Sequence, residues 1–137
     1  MWNFQFFSQS NTSHNPPIPD GALLDFGYQV WHSDMTEFTN STLHNLATQN
    51  YRLGVWGQTG FNAFELNHFA LQYDATSGMV SGNANIKEQI TLSPSGDSLS
   101  GTFTIDVYDS KGSKLDHVAG TLAATGVTVD TIVTALP

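Results

Sequence analysis

The C-terminal half of the chain alternates apolar and polar residues with a period of two, the signature of strands that bury one face. Ile86, Ile90 and Leu92 share one parity, with Lys87, Gln89 and Thr91 on the other. Leu99, Gly101, Phe103, Ile105 and Val107 share one parity, opposed by Ser100, Thr102, Thr104 and Asp106. The turn clusters Asp74–Gly78, Ser93–Asp97 and Asp109–Gly112 punctuate these runs. Each combines Asp or Ser, which bond nearby backbone amides, with Gly, which supplies positive φ. Gly78, Gly96 and Gly112 fall 18 and 16 residues apart. That spacing leaves about a dozen residues per strand, long for a sandwich and ordinary for a small barrel. His117 to Thr125 and Val127 to Val133 read as a last hairpin or one bent strand, with Gly120 and Gly126 as bends.

The N-terminal half is less regular. Trp2, Phe4 and Phe6 share a face. Residues 8–21 form a loop, because Pro16, Pro17 and Pro19 do not fit a central strand. Leu24 to His32 reads as a strand, followed by a turn at Ser33 and Asp34 and a short strand near Glu37 to Thr39. Ser41 to Gln49 reads as one or two helical turns capped by Ser41. Arg52 to Gln58 and Phe61 to Tyr73 complete the set. The sum is a single all-β domain over residues 1–137: an antiparallel up-and-down barrel of about eight strands with at most one or two short helices.

Four segments together resemble a set of bacterial lipocalin-like proteins: GVWGQTGFNAFELNHFALQYD, NIKEQITL, SGDSLSGTFTIDVYDSKG and GTLAATGVTVD. The shared pattern is a G-x-W strand, a T-G turn, a Tyr-Asp turn, a K-E-x-I-T-L strand and an S-G-T-F strand. It covers roughly residues 52–130, together with the WHSD run at Trp31 to Asp34. The resemblance implies a calycin-type barrel with a central cavity and says little about activity. One departure is Ala123 to Gly126, A-A-T-G, where the family commonly has A-T-R, so no salt bridge is carried over to that end.

Charge narrows the partners. Four Lys and Arg stand against twelve Asp and Glu, for a net charge of −8. That balance repels phosphate backbones and anionic membrane surfaces. The chain has no cysteine, which removes disulfides, thiolate metal sites and cysteine nucleophiles. No apolar run is long enough to span a membrane as a helix. No signal peptide is visible, yet a strand-like run follows Met1 directly and the chain is poor in charge. These features lead to the expectation of an exported or periplasmic protein whose leader has been removed. Asn11-Thr12-Ser13 and Asn40-Ser41-Thr42 match glycosylation acceptors, a common coincidence in a Thr- and Asn-rich chain.

Glu88 carries the most chemical information, because it shares the apolar parity of Ile86, Ile90 and Leu92. An inward carboxylate is costly unless it is paired or protonated, and its acidity then suits proton transfer. The bland alternative is a structural ion pair, with Arg52 as the nearest candidate. His68 is the second candidate, but its strand has two competing parities. Phe64, Leu66, His68 and Ala70 form one; Glu65, Asn67, Phe69, Leu71 and Tyr73 form the other. If His68 points inward it meets Glu88 as an acid/base pair or as two metal ligands; otherwise it is a core histidine bonded to a carbonyl. His32 is a third candidate, competing with Trp31 for the inner face; inward, it would complete a two-His-one-carboxylate set with His68 and Glu88. Its alternative is a turn contact with Asp34. Trp56, Tyr28, Phe103 and Trp2 are aromatics that can line a cavity or form the core. Asn67 and Gln29 are candidate orienting groups. No cofactor or metal motif is present.

Two functions of different class follow. The first is a barrel that holds a small apolar or aromatic molecule. The second is a cofactor-independent lyase, isomerase or hydratase using Glu88 and His68. Binding is preferred, because a cavity follows from the fold whereas catalysis needs a specific geometry. One prediction rests on charge alone: the protein is not retained on immobilised DNA at neutral pH. Salt-dependent retention would contradict it.

Overall fold

Eight antiparallel strands, each hydrogen-bonded to its sequence neighbour, close into one barrel when the last pairs with the first. This is the computed structural model of the chain, and it describes residues 1–42 and 44–132. The strands are β1 (Trp2–Ser8), β2 (Leu23–Trp31), β3 (Thr36–Ser41), β4 (Tyr51–Gln58), β5 (Ala63–Tyr73), β6 (Val80–Leu92), β7 (Ser98–Asp109) and β8 (Lys114–Gly126). Closure leaves no strand at a sheet edge, and every strand pairs with two neighbours.

The Asp/Gly turns form where their chemistry requires. Asp74 Oδ1 accepts from the amides of Thr76 and Ser77, and Asp109 Oδ1 accepts from those of Lys111 and Ser113. These bonds hold both carboxyls below the ordinary aspartate range. Gly78, Gly96 and Gly112 all adopt positive φ, between +68° and +85°.

Two expectations change. Residues 42 and 44–50 contain no helix; Leu43 lies outside the described residues. Asn45 turns the chain there, its side chain accepting from Ala47 N and its carbonyl from Thr48 N. Leu46 is exposed, so this segment has no apolar face to bury as a helix would. Ser41 ends β3 rather than capping a helix. Residues 127–132 carry no strand, and Val133 lies outside the described residues. After Gly126 the chain leaves the wall because β1 already occupies the free edge of β8. Asn11 is not available for glycosylation, since its buried side chain bonds Ser8 Oγ and both the amide and the carbonyl of Ala119.

The interior is layered along the barrel axis. One end is plugged by aromatics: Trp31 packs on Trp2, Trp56 and Phe64, with ring centroids 5.5–5.9 Å apart. The centre is filled by Phe4, Phe6 and Phe103, the last two stacked at 4.2 Å with planes 13° apart. Gly120 has no Cβ because the Phe103 ring would lie within 2.7 Å of it. The far end, beneath the 9–22 and 42–50 loops, holds Leu24, Asp25, Arg52, Ala84 and Val107. Among the described residues no helix is long and apolar enough to cross a membrane.

One turn glycine tests this account. Gly112→Ala forces a Cβ into φ +85° and is expected to lower unfolding stability by about 1–2 kcal/mol. Gly57→Ala, where a Cβ meets nothing within 4 Å, is the control. Equal urea midpoints for the two variants would contradict the assigned turn.

Candidate functional site

Register decides which side chains meet inside the barrel. Leu66 pairs with Glu88 and His68 with Ile86, so Leu66, His68, Ile86 and Glu88 all face inward. On the other side, Gly54 pairs with both His68 and Glu37, which brings a carboxylate from β3 to the same layer. Gly54 permits this: a Cβ there would sit 2.3 Å from His68 Cβ.

The result is a buried chain of polar groups across four strands. His68 Nδ1 lies 3.1 Å from Glu37 Oε2 and donates to it. Glu37 also accepts from the Thr39 hydroxyl. On the far side of the ring, His68 Nε2 approaches Glu88 Oε1 to 3.0 Å, off the line of an N–H bond. Glu88 Oε1 accepts from Gln29 Nε2 at 3.1 Å, and Gln29 Oε1 accepts from Trp31 Nε1 at 2.9 Å. The His68 and Glu88 side chains are 0% and 1% exposed. Among the described residues neither His68 Nε2 nor Glu88 Oε2 has a hydrogen-bond partner. Burial pushes the His68 pKa down, but the bond to Glu37 and the contact with Glu88 outweigh it, so the imidazole is held above its ordinary value of 6.5. The carboxylates lie on opposite sides of the ring and form a line rather than a cage. Among the described residues no group of three or more acidic or histidine side chains is placed to hold a metal ion.

The remaining candidates scatter. Trp31, not His32, takes the inner face; His32 is exposed in the β2–β3 turn, where its carbonyl accepts from Trp56 Nε1 at 3.0 Å. It lies outside the His68–Glu88 pair because Glu37, rather than a second histidine, fills the site beside Nδ1. Tyr28 is on the outer wall, since Phe4 and Trp2 pair with Gly27 and Gln29 and turn those residues inward. Trp2 and Trp56 belong to the aromatic plug, and Phe103 to the central stack. Asn67 is also on the outer wall, bonded by Asn85 Nδ2 at 2.6 Å. It borders a shallow groove of about 600 Å3 whose outward-facing residues include Val55, Glu65, Lys87 and Gln89.

Arg52 does not pair with Glu88. Its Nη2 lies 2.5 Å from Asp25 Oδ2, one layer further towards the loops. Here the interior opens into a hollow of about 120 Å3. Its lining combines the apolar Leu24, Ala84, Ile86, Ile105 and Val107 with the polar Asp25, His44, Gln49, Arg52 and Gln72. Sequence reasoning missed this hollow. Arg52 shares the parity of Gly54 and Trp56, which was its only signal, and a lone Arg in a short strand ordinarily points to solvent.

No protein-family model, curated protein or solved structure matches this chain. The interior chemistry therefore carries the functional argument, and it makes a pH prediction. Because the folded pKa of His68 is raised, its contribution to stability is complete below 6.5 and is lost as pH rises through the folded value. Unfolding free energy, measured in urea between about pH 6 and about pH 9, is expected to decline above 6.5 in the parent and to lose this slope in His68→Gln. A parent profile that rises across that range would overturn the charged-imidazole assignment.

Proposed function

We propose that the protein is a small-molecule-binding barrel whose site is the hollow that His44, Gln49 and Arg52 help to line. The observation that supports this is an interior space of about 120 Å3 lined by both aliphatic and polar side chains. Ligand sites combine these features: apolar surface supplies affinity and a few fixed polar groups supply orientation. The volume is somewhat below the dry cavity of about 150 Å3 that takes up benzene, and suits a ligand of up to about six non-hydrogen atoms. The ligand thus sits off-centre, because Phe4, Phe6 and Phe103 fill the middle of the barrel.

The enzyme reading needs a substrate beside Glu88 and His68. The pair is within 3.0 Å, as acid/base work requires, but both side chains are closed to solvent and already engaged with Gln29 and Glu37. A role in holding strands together accounts for that arrangement without a substrate. Binding is accordingly the preferred function.

A ligand-observed NMR screen of small apolar and aromatic fragments tests it. Weak binding to the parent is expected, with loss of binding in Ala84→Leu, which fills the hollow while leaving every charged group in place. Absence of any bound fragment, or binding undiminished in the variant, would refute the proposal.

A further inference from the structure

The hollow has a surplus of hydrogen-bond donors. Arg52 is 4% exposed and Gln49 is 7% exposed, so both are sheltered from water. Arg52 Nε, Arg52 Nη1 and Gln49 Nε2 have no partner among the described residues. The acceptors around them are engaged. Asp25 Oδ2 takes Arg52 Nη2, Asp25 Oδ1 takes the Phe26 amide, and Gln49 Oε1 takes Gln72 Nε2 at 3.0 Å. Buried donors without acceptors are uncommon, because each keeps the desolvation cost of burial with nothing to offset it. A ligand that brings acceptor atoms removes that cost.

Charge then selects among acceptors. The guanidinium is already neutralised by Asp25 at 2.5 Å, and the protein as a whole carries −8. An anion would enter a low-dielectric space with no free countercharge. A neutral carbonyl oxygen matches the donors without adding charge, and its hydrocarbon part faces Leu24, Ala84, Ile86, Ile105 and Val107. We infer that the hollow binds a small uncharged carbonyl compound, such as a ketone, lactone or amide of about six non-hydrogen atoms, with its oxygen on the free Arg52 and Gln49 donors. This rests on the hollow being the binding site, as proposed above.

The test uses the full chain and three probes of similar size: cyclopentanone, cyclopentane and butyrate, each titrated by ligand-observed NMR. Cyclopentanone is expected to bind about ten-fold or more tightly than either of the others, as sites built around hydrogen bonds discriminate. Gln49→Leu removes one donor and leaves the Arg52–Asp25 pair intact, so it is expected to weaken cyclopentanone while sparing cyclopentane. Equal affinity for cyclopentane and cyclopentanone would overturn the carbonyl assignment and leave the binding function standing. Tighter binding of butyrate would overturn neutrality as the selection rule. Failure of all three probes, together with an empty fragment screen, would remove both inferences.

Discussion

The interior of this barrel is organised around one buried imidazole, His68, held between the side chains of Glu37 and Glu88. Glu37, His68 and Glu88 come from β3, β5 and β6, so the ion chain ties β3 across β4 to the directly paired β5 and β6. Removing three ionisable groups from water is expensive, and their mutual attraction offsets this only while the geometry holds. Thr39 donates to the second oxygen of Glu37, and Gln29 donates to the Glu88 oxygen that His68 approaches. Gly54 is part of the same constraint, because any side chain there would collide with His68. Loss of one charged partner from such a chain costs about 3–5 kcal/mol, since the others are left uncompensated.

That polar belt divides the barrel. On one side Trp31 connects it to the aromatic plug, donating its indole hydrogen to Gln29 while packing on Trp2, Trp56 and Phe64. On the other side lie the Arg52–Asp25 pair and the hollow. Both ion systems keep buried polar atoms without a hydrogen-bond partner among the described residues: His68 Nε2 and Glu88 Oε2 in the first, Arg52 Nε and Nη1 in the second. Both His68 nitrogens nevertheless face a carboxylate oxygen.

The outer wall of β4 and β5 explains why strand parity was hard to read there. Leu53, Val55, Phe69 and Leu71 are apolar and more than half exposed or close to it, while the inward positions include Arg52 and His68. Hydrophobicity alone therefore points to both faces at once. Only the pairing of Gly54 with His68 and of Leu66 with Glu88 settles the orientation.

The sequence by itself determined what is local. The Asp/Gly turns, the alternation of β6 and β7 and the proline-rich loop specify a meander of long strands, because each signal acts over a few residues through backbone hydrogen bonds and φ preference. The inward direction of Glu88 was readable for the same reason: its own strand fixes its parity. His68 was legible as one of two readings of its strand's parity, but Glu37 was not, because it joins through pairings across β3, β4 and β5. The assignment of Arg52 to Asp25 was likewise decided by tertiary structure. Both residues are distant in sequence, and each is polar in a strand where polarity ordinarily signals an outer face. Partner choice among buried charges depends on three-dimensional separation and shared desolvation, which strand periodicity does not encode.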